Sequence, residues 1–163
     1  MAKILGFPNP VNETSARVVA TGAVAMSILF AVTGNPYVLI PLTYGFVARV
    51  LMGPRISPLG RIATQVITPR LSGPHKFVAG PPKRFAQGIG ALFSVTASVL
   101  WLADFHVASR VVVGMLAGAA ALEAFVGYCL GCAIFARLMR WGLIPESVCE
   151  ECNDISARLS VAQ

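Results

Sequence analysis

Four cysteines stand in two Cys-x-x-Cys pairs, Cys129/Cys132 and Cys149/Cys152. Three kinds of chemistry are open to such pairs. Two sulfurs at i and i+3 on a helix approach each other, so each pair can form or exchange a disulfide, and two pairs can hand on a disulfide or a persulfide. The pattern Cys-x2-Cys-x16-Cys-x2-Cys also falls within the spacing of a structural zinc site with all four sulfurs as ligands. Lastly, cysteine is a small apolar side chain that packs well. Gly127 and Gly131 interleave with Cys129 and Cys132, a Gly-x-x-x-Gly spacing that permits close helix approach.

Electrostatics weighs on each reading. A four-thiolate zinc site carries two negative charges, and Glu150 and Glu151 would add to them. On one continuous helix Cys132 would lie ~7 Å inside the flanking Arg137, with Cys129 a turn deeper. Thiolates are favoured at helix N-termini. Cys129 and Cys132 fall near the C-terminal end of their helix, where the dipole opposes a negative charge. Cys149 and Cys152 follow Pro145-Glu146, a better place for a helix start, but their acidic neighbours oppose ionisation. Metal, redox and packing all remain open from the residues alone.

Glu123 is the single charge in the run Val111 to Ala136. An ionised carboxylate at the centre of a bilayer costs ~3 kcal/mol or more unless it is paired or protonated. It is therefore either a proton or cation site or half of an ion pair, with Arg49 the candidate partner. At ~100° per residue, a continuous helix turns Glu123 well away from both Cys129 and Cys132, which argues against a general base for either thiol.

The elements that must hold these residues are apolar. The chain has 163 residues, 56% of them hydrophobic and 12% charged, against roughly 25% charged in soluble domains. Mean hydropathy is +0.72. Lipid is the expected surroundings of much of the surface. The net charge of +6 comes from Lys and Arg that flank apolar runs, the placement of a membrane protein, so no nucleic-acid partner is expected. Lys3 and the Gly6-Phe7-Pro8-Asn9-Pro10 stretch do not make a cleavable signal peptide.

The expected fold is all-α: one membrane domain over 1–163, a bundle of four transmembrane helices. The spans fall at about 16–34, 36–53, 85–104 and 108–137, separated by Gly34-Asn35-Pro36, a basic loop over 53–84 and the Asp104-Phe105-His106 turn. A polar tail covers 141–163. The loop holds Arg55, Arg61, Arg70, Lys76, Lys83 and Arg84 and no acid. Ser57-Pro58 is an N-cap and N1 pair, and Leu59, Ile62, Val66 and Ile67 follow at helical spacing, which predicts an amphipathic helix in the membrane interface with the basic residues on the lipid surface. Positive loops stay in the cytoplasm, so the loop and both termini are placed inside and the two short turns outside. Asn12-Glu13-Thr14 is then a cytoplasmic sequon without a glycan. His106 and Asp104 form a solvated turn. Gly114-x-x-x-Gly118 offers a second small-residue seam, for bundle packing or self-association. There is no phosphate loop, nucleophile elbow or two-His metal motif.

The run Gly127-Tyr128-Cys129-Leu130-Gly131-Cys132, the Arg84-Phe85-Ala86-Gln87 start of the third span, and the Asn12 and Arg17 lead resemble a bacterial four-helix integral-membrane family catalogued as a domain of unknown function. The resemblance covers about Asn12 to Arg140, and Gly-x-Cys-x-Gly-Cys is its most specific part. It implies the bacterial cytoplasmic (inner) membrane. Some members are encoded near thioredoxin-like proteins and sulfurtransferases, which implies a sulfur or thiol role and such a protein as partner. Cys149/Cys152 lie beyond it. Three functions are carried forward. One is a membrane component of cytoplasmic thiol redox or sulfur handling through Cys129/Cys132, with Cys149/Cys152 secondary. The others are a non-catalytic assembly subunit and a small transporter centred on Glu123. Zinc, on the four cysteines, is the sole cofactor considered.

Overall fold

A helix starts where Asn12 can satisfy amides that have no carbonyl behind them. In the computed structural model, which describes residues 10–70 and 77–149, Asn12 Oδ1 accepts from the N–H groups of Thr14 and Ser15 at 2.9 and 3.4 Å. Helix α1 follows over Glu13–Thr33. Gly34, at φ +64°, ends it and returns its N–H to the Phe30 carbonyl. Asn35 caps a short 3-10 turn, Pro36–Val38, that leads into α2, Leu39–Met52.

The basic loop begins as the sequence predicts. Ser57 Oγ accepts from the Gly60 N–H at 3.3 Å, with Pro58 at the first helical position. The helix it starts, α3 (Pro58–Arg61), is short and runs on as a π-helical turn over Ile62–Ile67 and a 3-10 turn over Thr68–Arg70. One side lies on α1. Leu59 packs so closely on Gly22 that a methyl there would stand 2.7 Å from its Cδ1, and Ser15 and Thr68 share a hydroxyl hydrogen bond of 2.7 Å. Ile62 and Val66 remain exposed. Val11–Asn12 (β1) and Phe77–Val78 (β2) form a short antiparallel pair that ties the loop to the start of α1.

Pro81 and Pro82 occupy the first turn of α4, Gly80–Leu102, where their missing N–H groups cost nothing. Helix α5, His106–Ala121, continues as a π-helical turn over Leu122–Val126 and stops at Gly127. Helix α6 then starts afresh over Leu130–Arg140. The expected unbroken span over 108–137 is therefore two helices, because Gly127 leaves helical backbone with φ +75°.

Helix α1 packs on α5, α2 on α4, and α4 on both α5 and α6. Phe30, Leu42, Phe46, Ala97, Val113 and Leu116 form the core, with Phe30 edge-on to Trp101 at 5.4 Å. Hydroxyls stitch the helices. Ser109 Oγ donates to the Ala97 carbonyl at 2.7 Å, and Thr43 meets Ser98 at 3.1 Å. Among the described residues, three helical stretches are long and apolar enough to cross a membrane: Glu13–Thr33, Gly80–Leu102 and His106–Val126. Only 17% of the most apolar window of Gly80–Leu102 is buried, so its outward face is suited to lipid. The Pro36–Met52 stretch is apolar but shorter than the ~20 residues of a full span.

The helices alternate in direction, so the two bends come together. Gly34 sits against the Arg110 guanidinium, and Trp101 stacks on His106 at 4.2 Å beside Asp104. The opposite end gathers the starts of α1 and α4, the ends of α2 and α5, and all of α6.

Candidate functional site

The break after α5 decides what the first cysteine pair can do. The Gly127 N–H closes on the Glu123 carbonyl at 3.2 Å and the Tyr128 N–H on the Leu122 carbonyl at 3.1 Å. A left-handed residue is needed there, which is glycine's role. Two residues later Cys129 is extended, at φ −84° and ψ 101°, and becomes the N-cap of α6. Its sulfur accepts from the Cys132 N–H at 3.3 Å.

The pair therefore lies at the start of a helix and not near the end of one. This reverses the electrostatic expectation for Cys129 and Cys132. Unpartnered amides and the positive end of the α6 dipole now favour a thiolate at Cys129. In the structure the two sulfurs are joined as a disulfide, with Cα atoms 5.2 Å apart. Both residues are half-buried.

The two glycines of Gly-x-Cys-x-Gly-Cys have different duties. Gly127 ends α5. Gly131 lets α6 touch α4, since a Cβ there would stand 2.6 Å from the Ala86 Cα and Cβ. Phe135, buried one turn on, packs at 5.6 Å on Phe85 of α4. Close approach thus belongs to Gly131 alone. Gly114 and Gly118 have nothing within 4 Å of where a Cβ would be; the seam they form is an open face of α5.

Cys149 is buried and disulfide-bonded, whereas Cys152 lies outside the described residues. Among the described residues no group of three or more His, Cys, Asp or Glu gathers for a metal. Cys129 and Cys132 are bonded to each other in this state.

Glu123 has a partner other than the expected one. Lys83 Nζ stands 2.6 Å from Glu123 Oε1, with both side chains largely buried. Arg49, 4% exposed, instead donates through Nε to Gln87 Oε1 at 2.8 Å and through Nη1 to Ser57 Oγ at 3.2 Å. Its guanidinium lies 4.6 Å from the centre of the Phe46 ring. Sequence reasoning placed Lys83 on the membrane surface; it is buried at 7% exposure. The signal that could have found it is the spacing of Lys83, Ala86, Gln87 and Gly90, one stripe of α4 by helical repeat.

The other loop cations separate by role. Arg61 and Arg70 are exposed. Arg84 Nε donates to the Val50 carbonyl at 3.0 Å, capping the end of α2. Lys76 and the side chain of Arg55 fall outside what is described. Arg17, unassigned from sequence, donates to the Ala124 and Phe125 carbonyls at 3.2 and 3.1 Å, so it caps the last turn before the break.

Because a π-helical turn and a reversal separate them, Glu123 and Cys129 do not diverge as they would on one helix. Both line a single cavity of about 80 Å³ between α1, α4, α5 and α6, walled otherwise by Ala20, Phe46, Gln87, Leu116 and Ile134. That volume is room for several waters. The Glu123 carboxylate, itself bonded to a buried lysine, and the first sulfur of a helix-starting disulfide thus line one space.

Compared with known proteins, residues 11–140 match the family model described as a domain of unknown function, DUF4395. The match agrees in extent with the stretch whose residues carry the resemblance and ends before Cys149. No curated protein and no solved structure matches the chain.

Proposed function

The chain belongs to the DUF4395 family, a domain of unknown function, and we propose that it is a multi-pass membrane protein exchanging disulfides through Cys129 and Cys132. The single observation that carries this reading is Cys129 as N-cap of α6, bonded to Cys132 in the first turn. The orientation follows the positive-inside rule. The end that holds Arg17, Arg61, Arg70 and Arg84 faces the bacterial cytoplasm with both termini, and the pair opens on that side to a thioredoxin-like or sulfur-handling protein.

The step is ordinary thiol–disulfide exchange. In the reduced chain the Cys129 thiolate attacks a partner disulfide, forming one mixed S–S bond and releasing one partner thiolate. Cys132 then loses its proton and attacks Cys129 Sγ, restoring the bond seen here and releasing the second partner thiol. Two electrons pass to the partner, and the one proton that Cys132 gives up goes to a released partner sulfur. The Lys83 contact supports a charge-balancing role for Glu123 over a transport site.

The test is a pair of substitutions in native membranes. Cys132→Ser should accumulate a covalent complex with a partner, visible on non-reducing gels and dissolved by dithiothreitol, while Cys129→Ser should not. If neither variant traps a partner and both cysteines stay reduced in growing cells, the reading fails. Stoichiometric co-purification unaffected by either change would then assign the chain to an assembly role.

A further inference from the structure

Charge does not balance around the cavity that Cys129 lines. Two buried cations, Arg49 and Lys83, are bonded to residues that line it, Gln87 and Glu123, against one carboxylate. Glu123 is bonded to Lys83. The bonds made by Arg49 go to neutral oxygens of Gln87 and Ser57, and one carboxylate cannot neutralise two cations. Gln87, which holds Arg49, and Glu123, which holds Lys83, both face the cavity with Cys129. Among the described residues, the remaining charges nearby do not correct the sum. Glu13 and Arg17, beside Gly127, are one of each sign. Arg84 turns to the end of α2. On α6, Arg137 and Arg140 are exposed and further along the helix. A buried cation without a counter-ion is costly, and an anion arriving in the cavity relieves that cost.

We propose that Arg49, held by Gln87, and Lys83, held by Glu123, are positioning residues that stabilise Cys129 as a thiolate, the anion this cluster lacks among the described residues. The inference rests on the exchange reading above. The disulfide form of the cluster carries one net positive charge and the reduced form none. Reduction then takes two electrons and one proton, which goes to Cys132, and leaves Cys129 as S⁻. The disulfide is easier to reduce than one whose two sulfurs must both be protonated.

The full chain in detergent, carrying Cys132→Ser, tests this without a partner. The alkylation rate of Cys129 by iodoacetamide, followed at its own peptide, is measured against pH. Its half-point should lie at least about one unit below the ordinary thiol value of ~8.5. Arg49→Met and Lys83→Met should raise it, Glu123→Gln should lower it, and Lys83→Arg should restore it. Opposite signs separate charge from a loosened fold, which moves every variant one way. In the chain with both cysteines, the midpoint potential, set against the glutathione potential at each pH, should change above that half-point half as steeply as for a two-proton pair. A half-point near the ordinary value overturns the proposal. So does a low one that ignores all four variants, which would assign the effect to the α6 start alone. Partner trapping in membranes is a separate result: exchange could stand while this cluster fails, or the reverse.

Discussion

The Lys83 ammonium meets the Glu123 carboxylate at 2.6 Å, joining the first turn of α4 to the π-helical turn after α5, from which the chain leaves for Cys129. The contact answers two needs together. It neutralises a carboxylate that is costly in an apolar bundle, and it holds Glu123 in the wall of the cavity that Cys129 also lines.

Removing one partner strands the other. Glu123→Leu or Lys83→Met alone should cost about 3 kcal/mol or more, as for other buried pairs broken on one side. The double change Lys83→Met/Glu123→Leu should recover most of that loss. Thermal unfolding of the purified chain in detergent measures it, and a double variant as unstable as the sum of the singles would refute a direct pairing.

Gly127 should resist substitution for a backbone reason. Gly127→Ala must hold φ +75° with a Cβ, at a cost of roughly 1–2 kcal/mol, and should slow alkylation of reduced Cys129 by disturbing the α6 start. Gly118→Ala is the control: its Cβ meets nothing, and alanine is a better helix former by ~1 kcal/mol. The melting temperature should fall in the first and hold or rise in the second.

Gly131→Val should be worse than Gly118→Val, because its added carbons meet the Ala86 backbone and not open space. Overpacking of this kind costs typically about 1–3 kcal/mol. The sign of success is a lowered melting temperature for Gly131→Val together with loss of the Cys129–Cys132 bond on mild oxidation.

Orientation can be read from reporters. Tags at Asn35 and at Asp104 should be reached only from outside the cell and tags at Arg61 only from the cytosol. The pairing of the two bends at Gly34 and Arg110 requires the first two sites to report alike, so a split result would contradict the bundle itself.

Much of the fold was legible in the chain. Asn12, the Gly34-Asn35-Pro36 turn, Ser57-Pro58 and the double proline at 81–82 mark helix boundaries by local chemistry, and each stands at such a boundary in the structure. The site was less legible. The run from Val111 to Ala136 reads as one helix because its hydrophobicity is unbroken, and hydrophobicity does not register backbone direction. Gly127 was visible, but its spacing to Gly131 suggests packing as readily as termination. From that ambiguity followed the wrong helix end for Cys129 and Cys132 and the wrong facing for Glu123.

By itself, the sequence determined a helical, largely apolar chain with its cations gathered beside particular turns, because periodicity, capping and charge are properties of neighbouring residues. Tertiary structure alone decided that Lys83 and not Arg49 binds Glu123, that Arg17 caps the end of α5, and that the cysteine pair opens a helix beside a charged cavity. Those outcomes depend on which helices touch and at what depth. Residues far apart in the chain set that through close packing, as Gly131 does on Ala86.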